Sequence, residues 1–137
     1  ISKTNLTPDE VVAIHTSRIL EVAIMGFLPG LGYLTGVDDA LHLPRRSVPR
    51  TFVPQGSVGL AMDQTVIYPL NSPGGWNLIG RMPIPLFDQK RENPILFSAG
   101  DQVSFYAVNA DKYEELAASC VDGNLPICPE QADEAAL

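Results

Sequence analysis

Short apolar segments, separated by turns rich in proline and glycine, dominate this chain. The segment 19–27 alternates, and it places Leu20, Val22 and Ile24 on one face of a predicted strand. A tight connection at Met62-Asp63 predicts a β-hairpin between the strands on either side of it. Further strands are predicted over 58–62, 65–68, 76–79, 94–97 and 103–108. We expect about eight short strands in the whole chain.

Two short helices flank these strands in the prediction. The run Thr7-Pro8-Asp9-Glu10 is a helix start, because Thr7 suits the N-cap and Pro8 the first helical position. This pattern predicts a helix over 8–15. A second amphipathic helix is predicted over 111–118 with Leu116 facing inward, and a helical turn is predicted over 37–43.

This order of elements, without alternation of strands and helices, predicts an all-β fold with two flanking helices. We expect a closed antiparallel β-barrel, since closure removes exposed strand edges. Twelve prolines and eleven glycines in 137 residues favour such a fold over a helical bundle. We assign residues 1–121 to this domain and residues 122–137 to an acidic tail that we expect to be disordered.

The distribution of charge bears on possible partners. Seven of the sixteen acidic residues follow Tyr106, where the sequence has a single lysine. The body before Tyr106 is nearly neutral and has no broad basic face, so nucleic acid is not an expected partner. No segment has the length of a membrane helix or the pattern of a signal peptide, and the two cysteines, Cys120 and Cys128, fit no zinc motif. We therefore expect a cytoplasmic protein with free thiols and no metal, although a disulfide within the tail stays possible.

The stretch from Tyr68 to Arg81 concentrates the least replaceable residues. Prolines limit its backbone, Gly74 and Gly75 permit positive φ, and the chain's only tryptophan, Trp76, follows them. One interpretation is a rigid turn with Trp76 as core filler. The other is the wall of a ligand cleft, in which the Gly74 and Gly75 amides and Arg81 face an anion.

Three arginines form the only cationic cluster of the body. Arg45, Arg46 and Arg50 lie between prolines, and a stiff loop of this kind can hold guanidinium groups ready to bind a carboxylate or phosphate. The alternative is a surface loop that pairs with Asp38, Asp39 or the acidic tail.

Motifs of self-contained catalysis are missing from the sequence. It has no nucleophile elbow, no His-Glu-x-x-His and no Cys-x-x-Cys. Histidine is the residue type suited to act as a base at neutral pH, and the chain has only His15 and His42; His15 suits the end of the first helix, and His42, beside the arginines, is a weak candidate base. These residues favour a cleft for a small anion or a rigid groove for a partner.

Several segments together give the chain a family resemblance. They are Gly26-Phe-Leu-Pro-Gly30 with Tyr33-Leu34, Pro44-Arg-Arg46, Pro49-Arg-Thr51, Pro54-x-Gly-Ser-Val58, Gln64-Thr-x-Ile-Tyr-Pro-x-x-Ser-Pro-Gly-Gly-Trp-x-Leu-Ile-Gly-Arg81, Pro83, Leu86-Phe-Asp88 and Gly100-Asp-x-Val-x-Phe105. With these residues the chain resembles the allophanate hydrolase subunit 1 family, also called the Kip-inhibitor family or the family of 5-oxoprolinase B subunits.

The resemblance implies several properties. They are a cyclophilin-like barrel, an N-terminal domain that precedes residue 1 in the parent subunit, ATP as co-substrate, and a second cyclophilin-like subunit as partner, of the type of allophanate hydrolase subunit 2 or the 5-oxoprolinase C subunit. The activity it implies is ATP-dependent hydrolysis of 5-oxoproline, or a part of urea carboxylase and urea amidolyase. One branch of the family inhibits a sensor histidine kinase, which leaves a regulatory binding module as the alternative function.

Combining the resemblance with the residues gives a site hypothesis. We expect half of a composite site for a small carboxylate or cyclic amide. The residues expected to bind substrate are Arg45, Arg46, Arg50, Tyr68, Gly74, Gly75, Trp76 and Arg81, with Tyr33 shaping a wall.

Overall fold

The computed structural model describes residues 5–91 and 94–120, and it begins with the predicted first helix. Helix α1 spans Pro8–His15, the residues expected from the sequence. The Thr7 side chain accepts a hydrogen bond from the Glu10 backbone N–H at 3.2 Å, so the predicted cap is confirmed. Val11 and His15 are the buried residues of α1, and they turn one face of the helix toward the sheet.

Antiparallel sheet makes up most of the remaining fold. Eight strands are described: β1 Leu20–Met25, β2 Gly32–Thr35, β3 Arg50–Val53, β4 Ser57–Ala61, β5 Gln64–Ile67, β6 Ser72–Gly74, β7 Asn77–Arg81 and β8 Gln102–Val103. Six of them form one sheet in the order β7-β4-β5-β2-β1-β8, and β3 and β6 form a separate ribbon. The predicted class, mainly antiparallel sheet with two α-helices, is confirmed for the described residues.

The hairpin of β4 and β5 has the predicted connection. Ala61 pairs with Gln64 and Leu60 with Thr65, which leaves Met62 and Asp63 as a two-residue turn. Met62 has φ +54°, the sign that tight hairpin turns of the primed types require. The connection between these central strands is therefore confirmed.

Strand β1 corrects one prediction. Leu20 and Val22 are buried as expected, but the Ile24 side chain is 58% exposed. The pairing of β1 with β2 shifts register between Val22 and Ile24, as in a β-bulge. Because a shift of one residue turns a side chain to the other face, Ile24 leaves the face that Val22 occupies.

The sheet is not a closed barrel within the described residues, so that prediction is wrong. β7 and β8 are its two edges, and no pairing joins them. β8 contains only Gln102 and Val103, whereas a strand over 103–108 was predicted. The predicted strand over 94–97 is reduced to one bridge between Ile95 and Phe87, next to Pro94, which has no N–H to donate. Among the described residues, the segments after β7 form too few ladder hydrogen bonds to close the sheet.

Both faces of the central hairpin are buried, and this places the ribbon. Leu60 and Ile67 belong to one apolar cluster, while Ala61 and Val66 belong to a second. The second cluster also contains Val53, from β3, together with Tyr68 and Trp76. The β3–β6 ribbon therefore packs over this second face of the sheet.

Helix α2 is the last element of the described chain. It spans Ala110–Ser119, slightly longer than the predicted 111–118, and the Asn109 side chain accepts the Lys112 N–H at 2.8 Å. Leu116 is half-buried, while Cys120 after the helix is a buried free thiol. The predicted tail, 122–137, and Cys128 lie outside the described residues. No helix among the described residues is long and apolar enough to cross a membrane.

Candidate functional site

The ribbon brings the arginine segment beside the two glycines. β3 pairs antiparallel with β6, and Arg50 lies opposite Gly74 while Val53 lies opposite Ser72. Pro73 sits inside β6, where its missing N–H is tolerated because β6 pairs only with β3. The ribbon thus joins two segments that were singled out separately in the sequence.

Gly74 has a different role from the one predicted. Positive φ values occur at other described glycines, but not at Gly74 or Gly75, so the conformational freedom noted in the sequence is not used there. A Cβ built on Gly74 would lie 2.9 Å from Cζ of Tyr68. Gly74 therefore provides space, because the backbone of β6 passes directly over the Tyr68 phenol.

The loop that carries the arginines is fastened to this turn. The Arg46 backbone N–H donates to the Gly75 carbonyl at 2.7 Å. Asn77 Nδ2 donates to the carbonyl of Pro44 at 2.9 Å, which anchors the start of the loop to β7. Arg45 Nε lies 3.8 Å from the Cβ position of Gly75. We call this arrangement, comprising Arg45, Arg46, Arg50, Tyr68, Gly74, Gly75 and Trp76, the glycine-turn site.

Tyr68 occupies the floor of the glycine-turn site. Burial raises the pKa of its phenol, and the Trp76 backbone N–H and the charge of Arg45 partly offset this rise, whereas Tyr33 adds to it. The Tyr33 and Trp76 rings lie 6.0 Å apart and tilted, a favourable aromatic arrangement. The structure therefore brings Tyr33, Tyr68 and Trp76 together beside Arg45, with the phenol neutral at pH 7.

The charge of the arginine loop is not neutralised by the described part of the chain. Asp38, one of the proposed partners, pairs with Arg18 at 3.1 Å. Asp39 lies 3.7 Å from His42. Among residues 5–91 and 94–120, no ion pair involves Arg45, Arg46 or Arg50. These cations are available for an anion that the described chain does not supply.

His42 is held by its own segment. Its Nε2 lies 2.9 Å from the carbonyl oxygen of Val37, so this nitrogen carries a proton and donates it. The arrangement fixes the imidazole at the end of a 3-10 turn, Asp39–Leu41. A catalytic role for His42 stays a prediction that none of these contacts supports.

His15 is buried under the sheet, which the helix-end interpretation did not foresee. Its Nε2 lies 3.1 Å from Thr65 Oγ1, and Thr65 donates its single hydroxyl proton to the Gly59 carbonyl at 3.0 Å. His15 Nε2 is therefore the donor to Thr65. Burial lowers the pKa of His15. Through Thr65, His15 is linked to Gly59 of β4, and Gly59 lies directly against Trp76, since a Cβ on Gly59 would lie 2.9 Å from Cβ of Trp76. His15 therefore supports the strands β4 and β5 on which the glycine-turn site rests.

Arg81 lies at the other end of β7 from the glycine turn, although it lines a cavity together with Tyr68, another predicted site residue. It is the last residue of β7, four positions beyond Asn77, a distance of roughly 13 Å along a strand. Its Nε donates to the Gln55 carbonyl at 3.3 Å. Arg81 lines a cavity of about 140 Å³ together with Tyr113 from α2. No pattern in the sequence pointed to Tyr113, which reaches this cavity from a distant part of the chain.

No metal-binding cluster of three or more His, Cys, Asp or Glu side chains occurs in the part of the chain that the structure describes. The chemistry available at the glycine-turn site is instead that of anion binding. The guanidinium groups of Arg45, Arg46 and Arg50 are hydrogen-bond donors to a carboxylate, while donation by the Gly74 and Gly75 amides stays a prediction.

Comparisons with known proteins agree with these features. Residues 1–97 match the family model of the carboxyltransferase domain, subdomain C and D. The chain is 48% identical over 99 residues to the B subunit of 5-oxoprolinase from Haemophilus influenzae, and the match covers 72% of the chain and 46% of that protein. It is 43% identical over 114 residues to the corresponding B subunit from Bacillus subtilis, covering 82% of the chain and 48% of that protein.

A solved structure supports the same relationship. The conserved uncharacterized protein PH0987 from Pyrococcus horikoshii superposes with a TM-score of 0.77 at 39% identity, and the match covers 82% of this chain and 52% of that one. The chain spans about half the length of the curated relatives it matches. The chain therefore belongs to the family of carboxyltransferase subdomains C and D, among relatives that include the 5-oxoprolinase B subunits.

Proposed function

We propose that this chain is the C-terminal domain of a subunit in an ATP-dependent 5-oxoprolinase-type complex. In this proposal an N-terminal domain of the parent subunit precedes it. The glycine-turn site supplies half of a composite site, and Arg45, Arg46 and Arg50 hold the carboxylate of a small cyclic amide. Its B-subunit relatives, at 43% and 48% identity, support the class of reaction.

One observation carries the proposal. The Arg46 N–H donates to the Gly75 carbonyl at 2.7 Å, so the only cationic loop of the body is fixed against the glycine turn. A fixed loop loses less conformational entropy when its guanidinium groups bind an anion. Arg45, Arg46 and Arg50 form no ion pair with described residues, so no described carboxylate competes with an acidic ligand for these arginines.

The other components of the reaction come from outside this site. We propose a second cyclophilin-like subunit, of the type of the 5-oxoprolinase C subunit or allophanate hydrolase subunit 2, as the partner that completes it. ATP follows from the family resemblance, and we assign it to no residue of this chain. The described residues offer binding and orientation, while His42 donates from Nε2 to the Val37 carbonyl within its own segment.

Reconstitution tests the proposal. A subunit that carries this domain, combined with its partner subunits, is expected to hydrolyse 5-oxoproline with ATP, and omission of the subunit is expected to abolish turnover. Arg50→Ala should lower kcat/KM by about 10- to 100-fold, the value of a hydrogen bond to a charged group. Arg18→Ala is the matched control, because Arg18 pairs with Asp38 outside the glycine-turn site. Unchanged turnover with Arg50→Ala would reject the assignment.

A regulatory module that binds a histidine kinase is the second candidate. The Phe27 side chain is 72% exposed, and an apolar cavity lined by Met25, Leu28 and Phe97 lies beside it. An exposed apolar patch of this kind is typical of a protein interface. Pull-down with a kinase dimerisation domain tests it: Phe27→Asn should abolish capture, and Phe52→Asn, at another exposed aromatic, should not. No capture by the unmutated chain would exclude this candidate.

A further inference from the structure

The Arg81 cavity is a second place where an arginine without a described acidic partner lines a cavity. It lies where the turn before β4 meets the end of β7, with α2 contributing one side. Its volume is about 140 Å³, the share of four to five water molecules in the liquid. The residues that matter for its chemistry are Gln55, Arg81, Ile84, Leu86 and Tyr113.

Arg81 gives the cavity a fixed positive charge. Its Nε donates to the Gln55 carbonyl at 3.3 Å, which orients the guanidinium plane. Among the described residues, no carboxylate forms an ion pair with Arg81. The terminal nitrogens of an arginine in this arrangement form the fork that binds a carboxylate in a bidentate manner.

Apolar residues form part of the lining of the cavity. Ile84 and Leu86 are buried, at 4% and 1% exposure. Pro83 and Pro85 alternate with them in the chain and have no backbone N–H. The lining residues whose side chains have hydrogen-bond donors are Gln55, Tyr68, Arg81 and Tyr113. Such a cavity suits a ligand with one acid group and a short hydrocarbon body.

The backbone around the cavity is held in place before any ligand binds. Gly56 has φ +88°, and a Cβ there would lie 2.6 Å from the carbonyl oxygen of Met82. The Met82 N–H donates to the Gly56 carbonyl at 2.7 Å, and the Gly56 N–H donates to the Tyr68 carbonyl at 2.7 Å. This bonded crossing fixes the two segments that carry Gln55 and Arg81, so binding requires little reorganisation.

We propose that the Arg81 cavity is a binding pocket for a short-chain monocarboxylate, which shares Tyr68 with the glycine-turn site but none of that site's arginines. The carboxylate binds the Arg81 fork and the Tyr113 hydroxyl, and the carbon chain lies against Ile84 and Leu86. The pocket does not depend on the proposed hydrolase activity, since it contains none of the arginines that the glycine-turn site uses.

Nuclear magnetic resonance of the full chain tests this pocket. Titration with butanoate at constant ionic strength should give saturable shifts at Arg81 Nε and at the backbone amides of Met82 and Tyr113, with a millimolar dissociation constant. Butanamide, which has the same shape without the charge, should give no saturable shift. The absence of saturable shifts with butanoate, or equal binding of butanamide, would overturn the proposal.

Variants separate this pocket from the other cations. Arg81→Gln should weaken butanoate binding at least about tenfold, the value of a charge-assisted hydrogen bond. Arg18→Gln, which removes a positive charge elsewhere, and Arg45→Gln, which alters the glycine-turn site, should leave the affinity unchanged. Loss of binding in Arg45→Gln with retention in Arg81→Gln would contradict the pocket and place the anion at the glycine turn. Butanoate binding is measured without turnover, so a failure of the hydrolase assay would not affect the test of this pocket.

Discussion

Two turns of similar composition form surfaces of contrasting chemical character in this protein. The turn over 26–31 and the turn over 72–76 both combine proline, glycine and an aromatic residue. In the second, Trp76 and the underlying Tyr68 are buried, and arginines line the outside. In the first, Phe27 is 72% exposed beside an apolar cavity of about 510 Å³.

The difference follows from what lies beneath each turn. Below Gly74 lies the Tyr68 phenol, so any side chain at Gly74 would collide with it. Phe27 has φ +68°, a conformation that costs a bulky residue free energy, and its ring contributes nothing to the buried clusters. Turns of similar composition therefore differ in packing: the turn over 72–76 fits closely against Tyr68, and the turn over 26–31 has a strained, exposed aromatic side chain, Phe27.

The largest expected effect is that of closing the space at the glycine turn. Gly74→Ala would place a Cβ 2.9 Å from Cζ of Tyr68, and we expect the free energy of unfolding to fall by about 3 kcal/mol. Gly75→Ala is the matched control, since the nearest atoms lie at 3.8 Å and its effect should stay within about 0.5 kcal/mol. Urea unfolding measures both, and equal effects would contradict the close fit.

Removing the Tyr68 hydroxyl tests the floor of the same turn. Tyr68→Phe keeps the ring under Gly74 but leaves the Trp76 backbone N–H without its acceptor. We expect a loss of about 1.5 kcal/mol, the cost of an unsatisfied buried donor. Tyr33→Phe removes the neighbouring hydroxyl and serves as the control. A Tyr68→Phe variant as stable as the original chain would show that the hydroxyl is not part of the support.

We expect low pH to destabilise the strands beneath the glycine turn more than the turn over 26–31, because His15 packs against those strands. His15 is neutral in the fold, because burial lowers its pKa below 6.5, the value of an unperturbed histidine. The unfolded chain then binds a proton at His15 more tightly than the folded chain does. The contribution of neutral His15 to the free energy of unfolding is therefore fully present above pH 6.5, and it is lost as the pH falls toward the pKa of His15 in the fold. Urea midpoints between pH 7 and 5 should decline, and the decline should be smaller in His15→Gln. An undiminished decline in His15→Gln, or a similar change in the His42→Gln control, would refute this role.

The smallest expected effect is a gain at the other turn. Phe27→Asn replaces a strained aromatic with a residue that tolerates positive φ, and we expect stability to rise by about 0.5 kcal/mol. Thermal or urea unfolding measures the gain. A clear loss would show that the exposed ring stabilises the fold in a way that its contacts do not indicate.

Local chemistry made several of these features predictable from the sequence. The Thr7-Pro8 cap determined the start of α1, and the two-residue connection at Met62-Asp63 determined the β4–β5 hairpin. The stiffness and the donors of the arginine cluster and of the glycine segment, combined with the family resemblance, led to the hypothesis of one site, and the structure places these two segments side by side. These signals depend on neighbours along the chain, which the sequence displays directly.

Features that depend on distant neighbours were not predictable in the same way. The bulge after Val22 moved Ile24 to the exposed face, and the shortness of β8 left the sheet unclosed. The sequence suggested that Gly74 serves by permitting positive φ, whereas the structure requires a glycine there because the phenol of Tyr68 lies beneath it. The position of Arg81 away from the glycine turn also depends on strand pairing, which no local pattern specifies.

The most direct measurement compares the acid substrate with a neutral copy of it. In the reconstituted complex, kcat/KM is determined for 5-oxoproline and for 5-oxoprolinamide, with the original subunit and with Arg45→Gln. If Arg45 holds the carboxylate, the variant lowers kcat/KM for the acid by about 10- to 100-fold and leaves the value for the amide within about twofold. A parallel fall for both compounds, or no fall for either, would contradict carboxylate binding by Arg45 at the glycine-turn site.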